Sequence, residues 1–221
     1  MLKHIFDEGR LLSGKARRQM ATIDDALYFA FLNYLDSRET PQDNARAQII
    51  GTYKLWRYSA EHEGEYALGR VSVFEDQNTR ALCVSVILAR NSSEGLRGTR
   101  DQFTGYLFDV SGMYLMIARD PRTDDLRMTL FPRFRIDEVG TDINERSVFA
   151  GRQSHIVHMD GFALGIEGGN GYCSPIHLSL VDDVDELANI DELLDVVPEG
   201  DQRVPRRVIE KLKRSGPLRL L

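Results

Sequence analysis

Three histidines carry the first chemistry worth weighing. His155 and His158 stand three residues apart, and His177 follows in a separate apolar stretch. Imidazole is the commonest metal ligand and titrates nearest to neutral pH. In an extended strand, however, residues i and i+3 face opposite sides. The spacing therefore argues for histidines that pack or are solvated, and no metal site is assigned. Gly165–Gly171 (GIEGGNG) has the glycine density of a phosphate-binding loop. Such loops work by delivering a helix N-terminus to the phosphate. Here Tyr172-Cys173-Ser174-Pro175 and an apolar strand follow, so a hairpin loop is expected instead. Cys173 and Ser174 lack the strand-to-helix elbow that exposes a nucleophile. A thiol–imidazole pair of Cys173 with His155 or His177 is the nucleophilic arrangement left. The acidic residues Asp120, Asp124, Asp125 and Asp137 mark turns, where carboxylates bond local backbone amides. No cofactor is implied.

A second set is less specific but better placed. Tyr53, Arg57, Tyr66, Arg70, Tyr106 and Arg119 lie inside stretches otherwise suited to a core, as do Asp109 and Tyr114. A charged side chain buried without a partner is costly. Either these groups face solvent, or they turn inward and line a cavity that orients a small polar or anionic ligand. In the stretch IIGTYKLWRYS, Ile49–Ser59, Tyr53, Leu55 and Arg57 share one face, which favours the inward reading for Arg57. Thr52, Lys54, Trp56 and Tyr58 take the other, so Trp56 is expected outside, against a terminal helix.

The elements that must position these residues change character along the chain. Lys15–Arg38 reads as a helix, with Ile23, Leu27, Ala30, Phe31, Tyr34 and Leu35 at helical spacing. From Ile49 the period becomes two. Strands are predicted over Ile49–Ser59, Glu65–Glu75, Arg80–Arg90, Gln102–Val110, Met113–Arg119, Leu126–Phe134, Ser147–Met159, Gly161–Ile166 and Cys173–Val181. Asp160-Gly161 reads as the turn between two of them. Short strands joined by hairpin-like turns, with no helix between, indicate an antiparallel barrel or sandwich rather than a parallel α/β sheet. Asp182–Asp201 carries acidic residues and no Lys or Arg, whereas Gln202–Leu221 is basic. The acidic stretch suits one or two short helices. Pro205 suits a helix start, with Val208, Ile209 and Leu212 as its apolar stripe. The two charge blocks are expected to pair with each other or to lie in solvent.

The fold expected is therefore mainly β (α+β): an antiparallel β-barrel of about 8–10 strands, with an N-terminal helix and a short helical C-terminal tail. The chain divides into an N-terminal helical segment 1–46, a barrel 47–182 and an acidic-then-basic tail 183–221. At 221 residues it is long enough to bury a core without disulfides, so Cys83 and Cys173 read as free thiols. A net charge of −6 disfavours broad nucleic-acid binding. Met1–Leu12 lacks the apolar core of a secretory signal, and no run reaches the length of a membrane span, so a cytoplasmic protein is expected.

Gly51-Thr52-Tyr53 opens the first strand after a helical lead-in, and a helical segment follows the last strand. This layout resembles the calycin superfamily, the lipocalins and their relatives, over Gln48–Asp195, with Tyr53 where those proteins carry the Trp of Gly-x-Trp. The resemblance implies a small-ligand barrel with the cavity inside. The opening from Gly51 to Ser59 is also similar to barrel-like sensor regions that follow helix-turn-helix domains in bacterial regulators. The expectation is a non-catalytic ligand-binding or sensory module that signals to a partner, or to a second copy, through Lys15–Arg38 and Gln202–Leu221. Two other readings stand beside it. One is a scaffold with a solid barrel and partner-binding helices. The other is a hydrolase-type enzyme using His155, His158 or Cys173.

Overall fold

A computed structural model describes residues 48–59, 64–90, 99–110, 113–123, 125–132, 156–167, 170–215 and 218–220. The predicted helix Lys15–Arg38 and residue His155 lie outside the described residues. The strands are β1 (Gly51–Tyr58), β2 (Glu65–Glu75), β3 (Leu82–Arg90), β4 (Thr99–Val110), β5 (Met113–Arg119), β6 (Leu126–Pro132), β7 (His158–Glu167) and β8 (Asn170–Leu180). Each pairs antiparallel with the next, and β1 pairs with β8, from Tyr53 opposite Leu180 to Arg57 opposite Ile176. The eight strands thus form a closed antiparallel barrel, which leaves no open edge between first and last strand.

Period-two alternation decides what fills it. Tyr53, Leu55, Ala67, Val71, Val84, Val86, Leu88, Phe103, Leu107, Tyr114, Met116, Phe131, Ile176 and Leu178 form one buried cluster inside the barrel. The register keeps them on one face from strand to strand: Tyr53 lies opposite Val71, Val71 opposite Val86, and Val86 opposite Phe103. Tyr53 is fully buried, and its hydroxyl donates to the Ile49 carbonyl at 2.8 Å. Mid-height in the barrel is packed with side chains, not hollow.

Two glycines let the strands coil this tightly. A Cβ at Gly105 would stand 1.9 Å from the Ile117 carbonyl oxygen, and one at Gly161 would stand 2.2 Å from that of Leu130. The second position corrects a prediction. Asp160-Gly161 is no turn: β7 runs through it unbroken, with Gly161 opposite Ile176. Gly161 is there for close approach to β6, which a sequence cannot tell from turn chemistry. The hairpin loop expected over Gly165–Gly171 is also shortened, because β7 runs to Glu167 and β8 begins at Asn170. Conversely, β3 starts two residues after Arg80, whose backbone takes the left-handed conformation at φ 61°.

The tail after β8 wraps the outside of the barrel. Helix α1 (Val184–Asn189) is capped by Asp183, whose side chain accepts from the Asp185 amide at 2.8 Å. A 3-10 turn (Ile190–Leu193) follows, then strand β9 (Val196–Pro198), which pairs with the start of β2. Helix α2 (Arg206–Ser215) comes directly after Pro205, and a last strand, β10 (Leu218–Leu220), pairs with β8. Sequence reading misses both short strands, since three residues carry no period. Val204, Val208 and Leu212 bury against Trp56, Tyr66, Leu68 and Val197 in a second cluster outside the barrel. The Trp56 indole donates to the Arg203 carbonyl at 3.0 Å. Trp56 thus packs outward under a terminal helix, as its side of β1 implied. The charge blocks do meet: Arg203 pairs with Asp195 and Asp201, and Lys213 with Glu199. Among the described residues no helix is long and apolar enough to cross a membrane.

Candidate functional site

One end of the barrel interior departs from the apolar pattern. Arg57 of β1, Arg127 of β6, Tyr172 of β8 and Phe103 of β4 all point inward there, at 7%, 4%, 7% and 4% exposure. Their positions follow from alternation: Arg57 is two residues beyond Leu55, and Arg127 is two before Thr129 and four before Phe131. The strand order places β8 between β1 and β6 around the wall, separated from β6 only by β7. Tyr172 is therefore reached by Arg57 from one side and by Arg127 from the other. The Arg57 guanidinium carbon lies 5.1 Å from the centre of the Tyr172 ring, and that of Arg127 lies 5.9 Å away. Arg127 also donates from Nε to the Tyr172 hydroxyl at 2.9 Å and stacks 4.1 Å over the Phe103 ring. The result is a ladder of cation and aromatic ring: Arg57, Tyr172, Arg127, Phe103.

The ladder does not satisfy Arg57. Its Nε and Nη1 are buried and find no hydrogen-bond acceptor among the described residues. The Thr129 hydroxyl, deeper on the same inner face, is buried and also finds no partner among the described residues. Ser174 is different, donating to the Tyr58 carbonyl at 3.0 Å. Beside the ladder lies a pocket of about 10 Å³, bordered by Phe103, Arg127, Tyr172, Arg90, Asp101 and Asp125. That is room for about one water molecule. Arg90 and Asp101 form a loose ion pair at 3.8 Å.

Of the six residues singled out by sequence, the structure gathers only part. Tyr53 and Arg57 face inward, Tyr53 held by its bond to Ile49 and Arg57 at the barrel end. Tyr66 faces outward and is buried beneath α2. Arg70 also faces outward, paired with Asp191 at 2.8 Å. Tyr106 lies on the outer face opposite Ile117, its ring 6.3 Å from that of Phe108, and Arg119 is exposed on the outer face opposite Thr104. The outward four are separated from Arg57 by the barrel wall. Arg127, Tyr172 and Phe103 were missed. The Arg127 signal was present, as an isolated charge in phase with Thr129 and Phe131 in an apolar strand. Tyr172 was hidden because the start of β8 read as a glycine loop.

The histidines form a separate outer cluster. His158 and His177 come from neighbouring strands and stack at 5.5 Å, while His177 lies 5.7 Å from Trp56. His177 Nδ1 is 2.5 Å from Asp160 Oδ1, and Lys211 of α2 donates to Asp160 Oδ2 at 2.7 Å. Burial would raise the Asp160 acid, but the bonds from His177 and Lys211 outweigh it and hold the carboxyl below its usual range. Among the described residues no group of three or more His, Cys, Asp and Glu side chains is arranged to hold a metal. Cys173 shares the outer face of β8 with His177 but lies four residues along the strand, roughly 13 Å away. Burial also pushes its thiol up, the reverse of an activated nucleophile. The cluster joins α2 to the barrel wall.

No family model, no curated protein and no solved structure matches this chain.

Proposed function

We propose that the chain is a non-catalytic binding or sensory module, one that takes a small polar or anionic ligand at the arginine-bearing end of its barrel. The observation that carries this reading is Arg57: a residue more than nine-tenths buried, with Nε and Nη1 of its guanidinium lacking acceptors among the described residues. Buried donors kept in that state are destabilising, and a ligand acceptor would relieve them. The closed meander barrel is consistent with the calycin layout, and the mouths of β-barrels are a preferred place for small-ligand sites. Helix α2, packed on β1 and β8 behind this wall, is the element through which occupancy would reach a partner. A thermal-shift screen across metabolites, neutral and charged, tests the reading. At least one compound is expected to stabilise the protein, and a screen with no shift counts against a ligand-binding role.

A scaffold role is the second reading, and the packed mid-barrel favours it. So do exposed apolar side chains on the outer face of β5, β6 and β7, with Met113 at 40%, Leu126 at 48% and Phe162 at 40% exposure. Sizing with and without residues 1–46 separates the two: loss of an oligomer on truncation supports the scaffold.

A further inference from the structure

Resting on that ligand-binding reading, we infer that the barrel end is built for the carboxylate of a small monoanion, and that Tyr172 is the plug the carboxylate displaces. Both guanidiniums reach the Tyr172 ring, from the β1 side and from the β6 side, at 5.1 and 5.9 Å. To Arg57 the ring offers only the negative face of its quadrupole, and to Arg127 one neutral hydroxyl oxygen, each a weak substitute for an anion. A planar carboxylate offers two acceptor oxygens, which match guanidinium N–H groups in pairs. Arg57 Nε and Nη1 are buried donors awaiting such acceptors.

The local charge sets the valence. Arg57 and Arg127 stand with Arg90, Asp101 and Asp125 around the ladder and its pocket. Among the described residues of the ladder and its pocket, three arginines stand against two aspartates, an excess of one cationic side chain. One carboxylate neutralises it, whereas a polyphosphate would meet the two aspartates with charge to spare. Space sets the mechanism. The pocket beside Tyr172 holds about one water, so a headgroup of several atoms enters only where the ring now lies. The ring rests over Gly165, where a Cβ would stand 2.5 Å from the Tyr172 hydroxyl and ring carbon. Its hydrogen bond to Arg127 is the polar contact the structure gives that hydroxyl, so a carboxylate on Arg127 competes directly for the group that holds the plug.

The test is calorimetry and thermal shift on the full chain at fixed ionic strength. Acetate and benzoate are the probes, acetamide and benzamide their neutral isosteres, and inorganic phosphate and ATP the higher-charge comparators. Benzoate or acetate is expected to bind, with the amides and ATP about tenfold weaker or worse. Arg57→Met is expected to lose about tenfold or more in carboxylate affinity, and Tyr172→Phe, which frees the ring from Arg127, to gain several-fold. Tyr172→Phe removes one hydroxyl and keeps the ring, so it tests the plug without emptying the core. Equal binding of acid and amide overturns the proposal, as does undiminished carboxylate binding by Arg57→Met. A neutral metabolite that stabilises both forms alike removes the carboxylate site but leaves the ligand-binding reading intact. No response to any compound removes both.

Discussion

Replacing Arg57 with methionine is expected to stabilise the protein. The side chain is more than nine-tenths buried, with Nε and Nη1 lacking acceptors among the described residues. Each buried unsatisfied donor costs about 1–3 kcal/mol, and exchanging buried ion pairs for well-packed apolar side chains of similar volume has been neutral or stabilising by about 1–4 kcal/mol elsewhere. Against this stands the contact with Tyr172 at 5.1 Å, a desolvated cation–π pair contributing about 1–2 kcal/mol. Methionine keeps the reach of the side chain and adapts to irregular space, so little cavity is left. The balance is a gain of about 1–2 kcal/mol. For a chain of 221 residues each kcal/mol moves Tm by roughly 2–4 °C, so a rise of about 2–8 °C follows. Urea unfolding should show the midpoint shifting upward at unchanged slope. A loss of stability greater than about 1 kcal/mol refutes the reasoning, because it would mean the guanidinium is held by an acceptor in the folded protein. A gain in stability with a loss of carboxylate affinity is the trade expected of a binding residue maintained against the fold.

Gly105→Ala should be among the most damaging single-atom additions. Its Cβ would fall 1.9 Å from the Ile117 carbonyl oxygen, so β4 and β5 must part, at about 3 kcal/mol or more by chemical denaturation. Leu212→Ala, at a buried position of α2, should cost about 2–5 kcal/mol if α2 unfolds with the barrel; Trp56, the one tryptophan, should then shift its emission to the red as α2 loosens. Asp160 has its carboxyl lowered in the folded protein, so its contribution is present above the unfolded carboxylate pKa near ~3.9 and is lost as pH falls through the lower folded value. Wild type should therefore lead Asp160→Asn in stability at pH 6, and the lead should shrink below about pH 4, followed by Trp56 fluorescence. An undiminished lead at pH 3 would dissociate the carboxylate from the latch between Lys211 and His177.

Alternation with period two is a local property, and it was enough to place β1 to β6 and the C-terminal part of β8, and to put Trp56 outside and Arg57 inside. The stripe Val208, Ile209 and Leu212 was equally legible, since a helix that buries one face writes it at helical spacing. What alternation cannot convey is which residues from distant strands share one end of a closed barrel. Arg57, Phe103, Arg127 and Tyr172 are brought together only by the strand order and by the closure of β1 on β8. The same limit explains Gly161, where a residue that reads as a turn is the close-approach point of two packed strands. It explains Arg70 and Tyr66 as well, whose partners Asp191 and α2 arrive from a tail more than a hundred residues later in the chain. Side-chain direction follows from neighbours in sequence, whereas the burial of Arg57 Nε and Nη1 away from any acceptor among the described residues arises only when the strands close into a barrel.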